Sequence, residues 1–439
     1  MLVRKDQVNC TEDEISSRRR NFSISPSREA RGEYFEPVDH VRSKDRSFRE
    51  RRRRWVVSRT LVRVLSAAVL SVFPLFGVSS SGATAQLRSS SGTLRVVKST
   101  FNFWDVGCPD QGACIAVGQG AHGEGVIVAI SHGVPRPTVF VPGTLGLGGV
   151  ACPRANFCLA TGNGTLEPSV VVPVIDGRPG KPIAVPGVFL FALACGSPTT
   201  CWATGESTNF AHAVVVHIVN STIERTYVIG NVAPGAFFGP SSNSPNGGTA
   251  YGPTPSCVSA TSCVLVGATR PYYGRTQGRG LIVHLVNGVV QTLTSVPGTA
   301  QLTGVSCVSV STCVADGEPP GSYVGLTPGV IVGVTNGIPG HVVSTALGHN
   351  LALQLSGMWC EKSMTCFAVT RDGLVVSLLP ARTPRVLTIA PAAGAMTGPH
   401  QGAPVGFDAV SCNDSSCVAV GGEFDPALPQ RAVGALYSF

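Results

Sequence analysis

Val305-Ser306-Cys307-Val308-Ser309-Val310-Ser311-Thr312-Cys313-Val314-Ala315-Asp316-Gly317 is one copy of a phrase that recurs along this 439-residue chain. A short apolar stretch leads into a first cysteine, a second follows six residues later, and the run after it ends on glycine. Val150-Ala151-Cys152 with Cys158-Leu159-Ala160-Thr161-Gly162, and Val410-Ser411-Cys412 with Cys417-Val418-Ala419-Val420-Gly421, repeat the pattern. Cys108/Cys114, Cys152/Cys158, Cys195/Cys201, Cys257/Cys263, Cys307/Cys313 and Cys360/Cys366 are six apart, and Cys412/Cys417 five. Only Cys10 falls outside the seven pairs.

First cysteines return at intervals of 44, 43, 62, 50, 53 and 52 residues. Units of about 40–50 residues with insertions predict the blades of a β-propeller. Within each unit the two cysteines mark strands a and b. A third apolar run follows, as in Gly125–Ile130, Leu281–Val286 and Gly329–Val334. After it come His132-Gly133, Asp176-Gly177, Asn287-Gly288 or Asn336-Gly337, dipeptides that supply the positive φ of two-residue hairpin turns. Strand d then ends in segments such as Val139-Phe140-Val141-Pro142-Gly143 and Ile183-Ala184-Val185-Pro186-Gly187. The expected architecture is all-β, with seven blades of four antiparallel strands. The seventh unit, Phe407 to Phe439, supplies only three strands. Leu94-Arg95-Val96-Val97-Lys98-Ser99 reads like the d strands His341–Ser344 and Arg385–Thr388, so it is expected to close the last blade and remove the exposed edges of an open array. Gly252-Pro253-Thr254-Pro255-Ser256 puts prolines where strand a of the fourth unit belongs, which predicts a shortened inner strand there.

Composition agrees with short strands and many turns: 52 Gly, 32 Pro and only 13% charged residues. The net charge of +8 is concentrated early, because residues 1–85 hold 17 Lys and Arg against 10 Asp and Glu, leaving 16 against 15 for the remainder. A near-neutral folded part carries no electrostatic footprint for a polyanion, so nucleic acid is not an expected partner. Residues 1–50 are polar and charge-mixed, a composition that predicts a disordered leader. Arg51–Arg54 followed by the apolar run Leu65–Val78 and by Ala83-Thr84-Ala85 predicts a signal peptide over residues 51–85, cleaved after Ala85, or an uncleaved signal anchor. The propeller then occupies residues 86–439, as a secreted protein or on the extracytoplasmic surface of a bacterium, and a monomer is expected.

Facing residues of a tight antiparallel hairpin have Cα atoms about 4.5–5.5 Å apart, within disulfide reach. Exported chains meet oxidising conditions, so seven intra-hairpin disulfides are expected. Zinc is disfavoured because no histidines accompany the pairs at ligand spacing, and redox catalysis because C-x-x-C is absent. No metal or cofactor is expected.

The chain resembles secreted bacterial propellers of the broad sialidase-like and BNR-repeat type, particularly cysteine-pair repeats with S-C-x-S-x-x-x-C-x-A-x-G text, over residues 94–439. It lacks the S-x-D-x-G-x-x-W aspartate box of many such proteins. The resemblance implies an architecture and leaves activity open, since propellers host many functions.

In this strand order the b–c and d–a connections emerge on one face, and the a–b and c–d turns on the other. The long connections 231–253, 268–279, 318–328, 390–406 and 422–430 all belong to the first. Function in such folds sits on loops, so Arg270, Tyr272, Tyr273, Arg275, Phe237, Phe238, Tyr251 and Tyr323 are the candidate ligand-binding residues. His217 and His284 are expected to be ordinary residues of strand c. Asp316, Glu318, Glu206 and Glu423 lie near b-strand ends, where a pair of carboxylates is the requirement for glycoside hydrolysis; no spacing selects two of them, and no catalytic residue is assigned. The expected function is non-catalytic binding of a protein, peptide or glycan, with a sialidase-like hydrolase and a structural envelope protein as alternatives.

Overall fold

A computed structural model describes residues 92–439 apart from 110–112, 210–211, 230–235, 238–254, 270–277, 310, 322–327, 348–350, 353–354, 362–364, 372, 382–383, 392–404, 414–415 and 424–432. The expected leader and signal segment lie outside the described residues.

The cysteine phrase builds what its spacing predicts. Blade 1 comprises strands Thr100–Gly107, Cys114–Gly120, Gly125–Ser131 and a two-part outer strand, Val134–Pro135 and Val139–Val141, paired in that order. Blades 2, 3, 5 and 6 repeat this a-b-c-d order from Thr144, Val188, Gln301 and Leu355 respectively. In blade 7, strands Val405–Cys412, Cys417–Glu423 and Val433–Ser438 receive Thr93–Val97 as the outer strand, with Thr93 opposite Ser438 and Val97 opposite Gly434. Each innermost strand packs on both neighbouring innermost strands, and that of blade 7 returns to that of blade 1, so the ring is closed.

Blade 4 shows how the chain handles its prolines. Its inner strand is shortened to Ser256–Ser259, as expected, and Ala236–Phe237 pairs with Thr269 and Ala268 at the other end of strand b. The inner strand is thus assembled from two pieces on either side of residues 238–254.

The turns are set by local chemistry. His132, Asp176, Asn287 and Asn336 have φ of 51–52°, and each following glycine is also positive. Asn220-Ser221 makes the same turn without glycine, at φ 49° and 64°. Pro142-Gly143, Pro186-Gly187 and Pro297-Gly298 form tight d–a connections in which the glycine takes φ of 76–82°. The next residue can lock the turn to the preceding blade. Thr144 Oγ1 accepts the N–H of Gly125 (3.1 Å) and donates to Val141 O (2.7 Å), and Thr299 does the same for Gly280 and Val296.

Between blades lie seven apolar clusters of strand-alternating Val, Ile, Leu and Ala side chains. Nearer the axis, space becomes the constraint. Strand a shifts register by one residue between Phe103 and Asp105, and the same bulge occurs in blades 2, 3, 5, 6 and 7. The repeated glycine four residues after the second cysteine lies against this strand. A Cβ at Gly118, Gly162, Gly205, Gly317 or Gly421 would overlap a carbonyl oxygen of strand a, namely that of Asn102, Gly146, Phe189, Gln301 or Gly406. Blade 6 carries Thr370 at this position, and there strand a begins at Leu355, directly opposite Thr370.

All seven expected disulfides are formed: Cys108–Cys114, Cys152–Cys158, Cys195–Cys201, Cys257–Cys263, Cys307–Cys313, Cys360–Cys366 and Cys412–Cys417. Their Cα atoms are 3.9–4.1 Å apart, somewhat closer than the sequence-based expectation. The pairing agrees with the sequence, but the depth of the second cysteine corrects a simple picture of staples at a hairpin turn. Cys201, Cys263 and Cys366 are only 0–1% exposed and are core residues in their own right. Cys201 packs in the cluster of Leu193 and Ile218, Cys263 in that of Trp202 and Leu285, and Cys366 in that of Ala368 and Leu378. The reason is strand alternation: each begins a strand b whose residue two places on, Ala203, Leu265 or Ala368, is buried in the same cluster.

The serines of the phrase have separate jobs. Ser256, Ser306 and Ser411, each just before a first cysteine, accept the backbone N–H of Cys307, Cys360 and Cys108 on the next blade at 2.8–3.0 Å. Ser197, Ser259 and Ser309, two residues after a first cysteine, accept N–H groups within their own hairpin.

Two outcomes follow from this packing. Reduction of the unfolded protein raises its intact mass by about 14 Da, two hydrogens for each of seven bonds; a smaller rise means unbonded pairs. Gly205→Ala forces strand a away and lowers stability by about 1–3 kcal/mol in denaturant unfolding, whereas Thr370→Ala, at the equivalent place in blade 6, creates no such overlap.

Candidate functional site

The strand order puts the b–c and d–a connections on a loop face and the a–b and c–d turns on a hairpin face. The described loop face is uneven. The d–a connections from blade 1 to 2, 2 to 3 and 4 to 5 are the tight Pro-Gly turns, while segments 270–277, 322–327, 392–404 and 424–432 of the connections in blades 4 to 7, and 238–254, which divides the inner strand of blade 4, lie outside the described residues.

Tyr272, Tyr273, Arg270, Arg275, Phe238, Tyr251 and Tyr323 lie outside the described residues. The backbone of Phe237 is placed opposite Ala268, and that of Ala236 opposite Thr269. Because the pairing is antiparallel, segment 270–277 follows Thr269 at the loop-face end of strand b, whereas Phe237 lies one place further in and is a strand residue rather than part of the expected d–a loop. Segment 322–327 departs from the same face of the adjacent blade, after strand Thr312–Glu318.

On the same face, blades 1 and 2 expose apolar side chains that the sequence did not single out. Phe101 is 37% exposed, Leu145 50% and Leu166 96%. Gln119 lies between them: it pairs opposite Asn102, next to Phe101, and its Nε2 donates to the carbonyls of Gly123 (3.1 Å) and Leu145 (2.8 Å). The N–H of Thr165 donates to Gly143 O (3.0 Å), which holds the Leu166 turn beside Leu145. Exposed apolar side chains linked in this way through Gln119 and the Thr165 turn form an apolar shelf edged by amides, of the kind found at recognition surfaces.

Toward the axis the polar groups tie blades together. Asp105 accepts the N–H of Val106 (2.8 Å) and, across the blade boundary, that of Val150 (2.7 Å). The equivalent positions on the other described inner strands are Gly149, Ala192, Gly304, Gly357 and Ala409. Where the neighbouring backbone comes closest, a small residue is the rule, and Asp105 fills its gap with two hydrogen bonds. Asp408 accepts from Asn102 Nδ2 of blade 1 (3.1 Å) and lies 3.8 Å from Arg371 Nε of blade 6. A comparison of inner strands position by position makes Asp105 and Asp408 visible as outliers.

Three of the four carboxylates near the ends of strand b are enclosed, and the Glu423 side chain lies outside the described residues. Glu206, Asp316 and Glu318 are buried. Val314 of the same strand packs into the cluster shared with blade 6, so alternation turns Asp316 and Glu318 toward that boundary as well. Thr303 Oγ1 donates to Asp316 Oδ2 (2.8 Å), and the absent side chain of Gly304 makes room for Oδ1, which accepts no hydrogen bond from the described residues. Desolvation pushes the Asp105 carboxyl up to about 7 against the pull of its two backbone donors. Desolvation, aided by the Glu318 charge and opposed by Thr303, pushes Asp316 up to about 6. The histidines are strand residues, as expected: His217 stacks on Trp202 at 4.0 Å and meets Glu224 at 2.7 Å, and His284 Nε2 lies 3.1 Å from Ser262 Oγ. The half-cystines contribute no surface to a ligand at Cys201, Cys263 and Cys366, whose enclosure makes them structural residues. Among the described residues no three His, Cys, Asp or Glu side chains form a metal-binding group.

The raised values set a pH dependence. Both carboxyls are harder to ionise in the folded chain than in the unfolded one, near 3.8, so their contribution is full in acid and is lost as pH rises through about 6 to 7. The melting temperature of the wild-type protein minus that of Asp105→Asn/Asp316→Asn falls between pH 5 and pH 8. A constant difference across that range contradicts the assignment.

No family model matches the sequence, and no curated protein matches it either. Solved structures do. The structure of U3-55K shares 10% identity and a TM-score of 0.53, covering 79% of this chain and 98% of that one. The WD40 repeats of RRP9 share 10% identity and a TM-score of 0.51, over 79% and 97%. At such identities the similarity concerns the fold, and it places this chain among proteins built as seven-bladed β-propellers.

Proposed function

We propose that this protein is a non-catalytic, exported propeller that binds a protein, peptide or glycan through its loop face. One observation carries the proposal: Phe101, Leu145 and Leu166 are exposed on the face to which the sequence assigns its longer connections, while the opposite face is drawn tight by seven disulfides and two-residue turns. A stiff base under variable loops is the usual layout of a recognition scaffold. Export through residues 51–85, with residues 1–50 outside the fold, is supported by the bonded cysteines, which persist in oxidising compartments. Tyr272, Tyr273, Arg270 and Arg275 supply the side chains expected at a binding hot spot, on a segment whose root adjoins Phe237.

The proposal is tested by probing glycan and peptide arrays with the purified protein, Tyr272→Ala/Tyr273→Ala and Leu145→Asp/Leu166→Asp. Binding that weakens at least tenfold in one of the variants, with unchanged melting temperature, is the expected result. Binding insensitive to both variants, or release of a fluorophore from a sugar glycoside that is lost in Asp316→Asn, overturns it.

A further inference from the structure

The hairpin face carries a feature that binding through the loop face does not use. Strand Thr93–Val97 starts on the hairpin face, because Thr93 lies opposite Ser438, which is followed by Phe439 bonded to Cys417. The chain therefore enters the propeller on that face. The junction adjoins blade 1: a Cβ at Gly133 would stand 2.9 Å from Ser438 Cβ.

From this junction a basic strip runs along the lower outer edge of blades 1 and 2. Arg136 donates its backbone N–H to Ala129 O (2.8 Å), and a Cβ at Gly177 would stand 3.2 Å from Ala129 Cβ, so Arg136 and Arg178 flank the same residue. The Asp176 N–H donates to Asn156 O (3.0 Å), which brings the hairpin of Arg154 to the same turn. Lys181 follows two residues after Pro179. All four cations are exposed and none has an ion-pair partner among the described residues, while Asp176 is the only described acid in these turns. Val134 and Ile175 stand among them at 48% and 53% exposure.

The folded part as a whole is close to neutral, so the strip is a local concentration rather than a sample of a basic surface. Cations interspersed with exposed aliphatic side chains match a bilayer interface, where the charges meet anionic headgroups and the aliphatic groups enter the boundary beneath them. We propose that the Arg136–Arg154–Arg178–Lys181 edge docks the propeller on an anionic membrane surface, with the loop face turned away from the bilayer. The proposal involves a different face from the binding function above, and either can fail without the other.

Sedimentation of the full chain with phosphatidylglycerol/phosphatidylcholine vesicles and with pure phosphatidylcholine vesicles tests it. Each cation near an anionic surface is worth about fivefold in partitioning, so Arg136→Glu/Arg178→Glu lowers partitioning onto the anionic vesicles at least tenfold. Lys98→Glu/Arg279→Glu changes net charge equally but alters exposed residues on the loop face, and leaves partitioning within about twofold of wild type. The leader is common to all three proteins, so the difference between variants reports the strip alone. Undiminished partitioning of Arg136→Glu/Arg178→Glu, or an equal loss in both variants, overturns the proposal.

Discussion

Seven strands can converge on one axis only if their backbones approach more closely than most side chains allow, and the rest of the molecule is arranged around that limit. The glycine four residues after the second cysteine of blades 1, 2, 3, 5 and 7 exists because the bulged inner strand occupies the space of its Cβ. The bulge in turn lets two successive inner-strand residues turn from the blade's own interior toward its neighbour. Where a small residue would leave a gap, a hydrogen-bonded carboxyl fills it, as Asp105 does between blades 1 and 2.

The cohesion of the ring is therefore divided by radius. Far from the axis, β-branched and aliphatic side chains bury apolar surface between blades in the ordinary way. Close in, where there is little side chain to bury, directed bonds take over: serine to the next cysteine N–H, and aspartate to the next strand. These ties gather at the seam where the two ends of the chain share a blade. Asp408 reaches Arg371 on one side and Asn102 on the other, and Ser411 holds Cys108. A disulfide in every blade secures hairpins whose side chains are mostly small, and at Cys201, Cys263 and Cys366 its sulfur is also part of the apolar filling.

Much of this was legible because the chain repeats. Paired cysteines, Asn-Gly and Asp-Gly turns and the orphan strand near Leu94 are local signals whose meaning is fixed by their recurrence, and each appears in the structure where the sequence places it. The Asn220-Ser221 turn escaped notice because it adopts positive φ without glycine. Blade 4 was legible in part: prolines at 253 and 255 foretold a short strand, but the pairing of Ala236–Phe237 with Ala268 and Thr269 depends on a return of the chain that no local pattern encodes. The apolar shelf was invisible for the same reason, since Phe101, Leu145 and Leu166 belong to different strands and turns. The serine of each S-C step looked like part of a hairpin, yet its partner is on the next blade, a relation that becomes apparent only once the blades stand side by side.

The shared seventh blade also dictates an order of assembly. Blades 1 to 6 are each made from a continuous stretch of chain and can form as soon as that stretch is available. The strand at 93–97 has no partner until residues 433–438 arrive, about 340 positions later. Until then both flanks of the nascent stack present unpaired backbone, which is when an elongating or translocating chain is most open to joining a wrong partner. The disulfides suit this interval, since each closes within a single hairpin and secures its blade without waiting for the circle to be completed.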